Sequence, residues 1–188
     1  GRQWNGQFGN IRNALVAAAE EMSVTVWRTS RSPVVRDILD YSTAVFDANG
    51  QSTAQAARMP VHLNSMARCL LDILADHIPL EEWREGDIII TNDPYSGGQH
   101  LPDILTFKPV FLEGRRIAIA GVLVHHLDVG GGAPGSYHAE ATEIFQEGFR
   151  IPPLKIDDAG VRNQAVVKLL LRNSREPEKV GGDFASQL

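Results

Sequence analysis

The hydrophobic pattern changes period several times along the chain. From about Phe8 to Trp27, Ile11, Leu15, Ala18, Met22 and Val26 recur at helical spacing, with Glu20 and Glu21 off that stripe. This predicts an amphipathic helix. Ser32-Pro33 through Arg36-Asp37 shows no assignable period. Tyr41–Phe46 then alternates, Asp47-Ala48-Asn49-Gly50 marks a turn, and Gln51–Ala57 follows. The arrangement predicts a hairpin in which Asn-Gly supplies positive φ. A second helix is predicted from about Val61 to Ile78, striped by Leu63, Met66, Leu70, Ile73/Leu74 and Ile78, with Pro79 just beyond its end.

From Gly86 the period shortens. Asp87–Thr91 is a β-branched run that stops at Asn92-Asp93-Pro94-Tyr95-Ser96-Gly97-Gly98, a loop. Ile104–Phe111, Glu113-Gly114 and Arg116–Val124 read as a long hairpin. Its second arm is apolar at both parities, which predicts a strand covered on both faces and central in its sheet. It ends at His125-His126-Leu127-Asp128, followed by Gly130-Gly131-Gly132 and Pro134-Gly135. A mixed loop runs through Pro152-Pro153, then a helix near Asn163–Arg172, then a segment from about Ser174 with Pro177 in its first turn. The expected class is α+β: a mixed, mostly antiparallel sheet with flanking helices.

Composition narrows the function classes. Hydrophobic residues make up 43% and charged residues 22% of 188, the balance of a globular protein with one sizeable core. The 18 Lys+Arg against 23 Asp+Glu give a net charge of −5, which argues against general nucleic-acid or anionic-membrane binding. No stretch is apolar enough to span a bilayer, and Gly1–Asn10 lacks a signal-peptide pattern. The single cysteine, Cys69, excludes an internal disulfide or a Cys-rich zinc site and reads as a small buried hydrophobe. A reducing, cytoplasmic setting is expected.

Two polar clusters sit in loops at strand ends. In His100-Leu101-Pro102-Asp103, Pro102 restricts the backbone so that an imidazole and a carboxylate can turn toward one point. In His125-His126-Leu127-Asp128, adjacent residues face opposite ways, so one histidine looks into a given site. With a further carboxylate this makes a mixed nitrogen/oxygen set suited to zinc, manganese or iron(II), with a position open for water. The same residues also suit a capped turn and a hydrogen-bonded strand-end histidine, and spacing does not choose. Gly97-Gly98 and Gly130-Gly131-Gly132 allow an oxyanion cradle or plain turns, and neither matches a Walker or dinucleotide fingerprint.

Longer motifs carry a resemblance. They are Asn92-Asp93-Pro94-Tyr95 with Gly97-Gly98-Gln99-His100-Leu101-Pro102-Asp103, His125-His126-Leu127-Asp128-Val129-Gly130-Gly131 with Pro134-Gly135-Ser136, and Gln146-Glu147-Gly148-Phe149-Arg150-Ile151-Pro152-Pro153. Asp40-Tyr41-Ser42-Thr43-Ala44, Phe46-Asp47-Ala48-Asn49-Gly50 and Pro60-Val61-His62-Leu63 agree as well. In this order they resemble the N-terminal portion of the hydantoinase B/oxoprolinase family. Gln99 departs from it, standing where a small hydroxyl residue is expected.

The resemblance implies an ATP-dependent cyclic amide hydrolase that opens a hydantoin, lactam or 5-oxoproline ring. A hydantoinase A/oxoprolinase-like ATPase partner subunit would bind ATP and phosphorylate the substrate. This component would carry a divalent metal where the activated intermediate is attacked. Carried over, the ligands are His100, Asp103 and His125, with Asp40 as fourth; Asp40 also suits a turn residue opening the hairpin. Asp93 or Asp128 would accept a proton or orient a ligating imidazole, and His126 would donate to the intermediate, although each also suits plain loop support. Two alternatives stay open: a subunit of an acetone carboxylase-type ketone carboxylase, and a non-catalytic scaffold docking the ATPase. Hetero-oligomers with that partner are expected, with neither nucleic acid nor membrane bound. Family members are considerably longer, so residues 1–188 are expected to be an incomplete metal-binding portion, inactive alone.

Overall fold

The structure, a computed structural model, describes residues 2–59, 62 and 64–188. Helix α1 (Arg2–Thr29) outruns its expected limits at both ends. Its buried positions are Ala19, Ser23 and Val26, with Leu15 and Met22 partly covered, whereas Ile11 and Ala18 face solvent. The small Ala19 packs against Val45, Ala54 and Ala56, and its carbonyl accepts the Thr43 hydroxyl at 2.7 Å. Close approach at an alanine therefore decides which face turns inward. The unassigned segment after α1 forms a short helix, α2 (Pro33–Arg36), capped by Ser32.

Strands β1 (Tyr41–Asp47) and β2 (Ser52–Ala57) form the expected hairpin, with Gly50 at φ +86° in its turn. Helix α3 (Ser65–Asp72) starts after Asn64 and runs into a π-turn, Ile73–His77, closed by Ile78 N–H donating to the Ile73 carbonyl. The expected start of that helix at Val61, its Leu63 position and Pro60 lie outside the described residues. Next come β3 (Ile88–Thr91), β4 (Asp103–Leu112) and β5 (Arg115–His125), then β6 (Leu154–Asp158) and β7 (Val161–Arg162). Helices α4 (Gln164–Arg172) and α5 (Pro177–Gln187) finish the order, with Asn163 capping α4 and Pro177 opening α5.

The strands make one seven-stranded sheet in the order β2-β1-β5-β4-β3-β6-β7, and every pairing among the described residues is antiparallel. The α+β expectation holds. The β6–β7 hairpin is an addition to the predicted elements. β5 lies inside the sheet, between β1 and β4. Its expected two-sided burial holds for Gly121–His125, while Ile117 is 48% exposed.

Two layers of helices cover the sheet. On one face α3 brings Met66, Cys69, Leu70 and Ile73 against Ala44, Phe46, Phe107 and Leu123. Gly121 lies under the edge-to-face pair Phe46–Phe107, whose ring centroids are 6.1 Å apart. On the other face Val26 of α1 and Val35 of α2 cover Tyr41, Val122 and Val124, and α4 and α5 cover Ile88, Ile90, Ile104 and Ile156. Each fully buried side chain of this size is worth about 1.5–3 kcal/mol of transfer free energy.

Candidate metal centre

Strand register gathers the polar residues at one end of the sheet. Asp103 opens β4 and His125 closes β5, and the two are direct partners in the ladder. Tyr41 of β1 pairs with Val124, so Asp40 falls opposite His125, whose backbone N–H donates to the Asp40 carbonyl at 3.0 Å. Three neighbouring strands therefore deliver Asp40, His125 and Asp103 side by side. His100 joins them through a tight turn in which Asp103 N–H donates to the His100 carbonyl at 3.0 Å. Gly97, at φ +87°, lets the loop before it rest on α3: a Cβ there would lie 2.7 Å from the Cys69 Cα.

The donor atoms converge closely. Asp103 Oδ1 is 3.1 Å from His100 Nε2 and 3.2 Å from His125 Nδ1, and those nitrogens are 3.2 Å from each other. Asp40 Oδ2 lies 4.0 Å from His125 Nδ1. Donors about 2.1 Å from one zinc-like ion in a tetrahedron are separated by about 3.4 Å, so the triangle is close to the size of one face of such a polyhedron. Two imidazoles and a carboxylate suit a borderline divalent ion. The residues fit the metal that the resemblance implies.

The electrostatics agree. Burial pushes the Asp103 carboxyl up, but hydrogen bonds from His100 and His125 and their charge outweigh it, leaving the group at about 2. It is ionised throughout the physiological range. The hydrogen bond to Asp103 raises the His100 pKa against burial. His100 is also the accessible member, 38% exposed in its side chain against 2% for Asp103.

A further residue, His62, stands at this site, although the sequence reading assigned it no role. It is 1% exposed, and its Nε2 lies 3.4 Å from Asp40 Oδ1. On the other side its Nδ1 is hydrogen-bonded to Ser42 Oγ at 2.9 Å. Burial lowers its pKa, so it is neutral. Asp40, His62 and Asp103 form a second group with metal-ligand spacing.

The three residues expected to do acid–base work are each engaged in other contacts. His126 points to the opposite face of the sheet, where its Nε2 meets Gln187 Oε1 at 3.0 Å and its ring lies 4.4 Å from that of Phe184. Asp128 braces its loop by accepting from Gly130 N–H, Gly135 N–H and Arg175. Asp93 accepts from Tyr95 N–H and pairs with Arg150 at 2.8 Å. The Gly130–Gly132 loop is itself held, because Arg175 donates to the Gly130 and Gly131 carbonyls.

Beside His100 opens a cavity of about 410 Å³ walled by Tyr95, Gln99, Thr142, Glu143 and Glu147. Arg150 packs over the Tyr95 ring at 5.0 Å, and the exposed Tyr137 lies 6.1 Å from the His125 ring. A larger apolar groove of about 470 Å³, lined by Met22, Val26, Val122 and Leu188, lies on the other face of the sheet. Its described lining residues include no histidine and no part of this donor set, so the smaller cavity is the one of the two that adjoins the donor set.

The fold is an antiparallel α+β sheet with a histidine–carboxylate cluster at its strand ends, spaced as residues that could hold a metal ion. The hydantoinase B/oxoprolinase family profile matches residues 7–188, and the chain belongs to that family. It is 38% identical over 180 residues to the caprolactamase subunit beta of Pseudomonas jessenii, covering 94% of this chain and 30% of that subunit. It is 36% identical over 169 residues to 5-oxoprolinase 1 of Arabidopsis thaliana, covering 87% of this chain and 13% of that enzyme. The crystal structure of the ATP-dependent caprolactamase from Pseudomonas jessenii superposes with a TM-score of 0.88 at 36% identity, over 96% of this chain and 31% of that one. The chain thus spans about a third or less of these relatives. Among the described residues no helix is long and apolar enough to cross a membrane.

Proposed function

We propose that this chain supplies the metal centre of one subunit of an ATP-dependent cyclic amide hydrolase, which opens a lactam, hydantoin or 5-oxoproline ring. The observation that carries the reading is the convergence of His100 Nε2, Asp103 Oδ1 and His125 Nδ1 within 3.2 Å, with Asp40 beside them. Family membership and the similarity to an ATP-dependent caprolactamase support the substrate class and the need for ATP.

An amide is a poor electrophile because its nitrogen lone pair is delocalised onto oxygen. Phosphorylation of that oxygen by an ATPase partner subunit would give an imidate phosphate whose carbon accepts water. The C–N bond then breaks, the ring nitrogen leaves with a proton, and a second water releases phosphate from the resulting acyl phosphate. Asp40, His100, Asp103 and His125 would hold zinc, manganese or iron(II), which would supply Lewis acidity and lower the pKa of a bound water. Asp103, ionised and buried, is the fixed negative charge of the site. The activated carbonyl enters through the cavity beside His100, the accessible side. Asp93, with Arg150, and Asp128, with Arg175, brace the loops on either side.

The test is ring opening by the full-length subunit reconstituted with its ATPase partner. ATP-dependent hydrolysis of a lactam or 5-oxoproline is expected, with His100→Ala lowering turnover by at least 100-fold. Full activity in that variant contradicts the reading.

A further inference from the structure

We propose that His62 is a positioning residue that fixes which oxygen of Asp40 is available to the metal. The inference rests on the metal centre proposed above. Asp40 immediately precedes β1 and Ser42 is its second residue, so the two are two positions apart and face the same way. The imidazole of His62 spans both, with Nδ1 2.9 Å from Ser42 Oγ and Nε2 3.4 Å from Asp40 Oδ1. The ring is placed from its own backbone: Ser65 Oγ donates to the His62 carbonyl at 2.9 Å, and His62 N–H donates to the Met59 carbonyl at 3.1 Å.

Hydrogen count decides the tautomer. Ser42 is fully buried, and among the described residues His62 Nδ1 is its hydroxyl's hydrogen-bond partner. A buried hydroxyl proton needs an acceptor. Ser42 O–H therefore donates to Nδ1, and the ring proton sits on Nε2, the nitrogen 3.4 Å from Asp40 Oδ1. With Oδ1 held, the other oxygen, Oδ2, is the one turned toward His125. The carboxylate is then oriented before any ion arrives. This reverses the familiar pairing in which a carboxylate orients a ligating imidazole.

The same atoms allow a competing arrangement. If Nε2 carried the lone pair instead, His62 would join Asp40 and Asp103 as ligand to a second cation. The Ser42 hydroxyl argues against that, because the proton it places on the ring is the one a metal would have to displace.

Metal binding to the stripped full-length protein separates these cases. Mn(II) or Zn(II) is titrated in competition with a chromophoric chelator, for wild type, His62→Ala, His62→Gln and Ser42→Ala. We expect one ion per chain in each, with affinity 10- to 100-fold weaker in His62→Ala. Most of that loss should return in His62→Gln, whose amide N–H can replace Nε2–H. Ser42→Ala, with the imidazole retained, should weaken binding in the same direction. Thermal unfolding of the metal-free forms shows whether each variant is folded, and the Co(II) absorption spectrum should change in His62→Ala. Equal affinity in wild type and all three variants overturns the role of His62 and leaves the metal centre standing. Two ions in wild type falling to one in His62→Ala makes His62 a ligand and also overturns the proposal. No ion bound by wild type removes the metal centre itself.

Discussion

His125 and Asp103 meet at 3.2 Å because they are partners across the β4–β5 ladder, so the sheet register itself brings nitrogen and oxygen into ligand contact. A slip of one residue would present His126, which now points into the α5 side of the sheet. Removing the charge while keeping the shape tests this pairing. Asp103→Asn should fold, because its two histidine contacts can be kept as hydrogen bonds, yet bind Zn(II) or Mn(II) at least 100-fold more weakly. Isothermal titration of the metal-free protein measures it.

Gly121 permits the core contact beneath α3. A Cβ at this position would come within 2.9 Å of Phe46 and 3.1 Å of Phe107, two rigid rings already packed edge to face. Gly121→Ala should therefore destabilise the fold by about 1–3 kcal/mol through overpacking, read from the urea midpoint. An unchanged midpoint would show that the rings can part freely.

Asp128 makes the loop after β5 sensitive to acid. Burial works to raise its pKa, but the hydrogen bonds from Arg175, Gly130 and Gly135 prevail and hold it below the usual carboxylate range. A carboxyl depressed on folding adds stability that is complete above its unfolded value of about 4 and drains away as pH falls below it. Asp128→Asn should unfold more readily at pH 7, by about 1–3 kcal/mol, and lose less stability than wild type between pH 5 and pH 3. Equilibrium unfolding at three pH values gives both slopes.

Cys69 should be inert in the folded protein. Burial pushes its thiol up to about 12, and it sits within the α3–sheet core. Ellman's reagent at pH 8 is expected to label no thiol in the native chain and one per chain in urea. Rapid native labelling would mean that α3 opens readily.

Much of this was legible in the sequence, and the exceptions have physical causes. The hairpins at Asp47–Gly50 and Glu113-Gly114 announce themselves through turn residues between alternating strands. The β6–β7 hairpin does not, because Leu154–Asp158 is short and charged and follows a Pro-Pro pair. Its place depends on the open edge of β3, a tertiary fact. The stripe of α1 holds at Leu15, Met22 and Val26 but takes Ala19 instead of Ala18, two residues identical in sequence that differ only in what they touch. Within the site, His100, Asp103 and His125 carry local motifs, and Asp40 stands beside them as expected. His62 stands in the Pro60-Val61-His62-Leu63 motif, but that motif gives it no role, and it reaches Asp40 from the segment after β2, so spacing alone could not reveal it. The paired histidines were separable in principle by strand parity, but which of the two faces the centre required the register.

The central claim is that this end of the sheet holds a metal ion, and metal analysis tests it most directly. Protein purified after metal-replete expression should carry close to one zinc, manganese or iron per chain by mass spectrometry, and His100→Ala should lose it while keeping the same circular dichroism. A metal-free wild type, or a His100→Ala variant that retains full occupancy, would contradict the account.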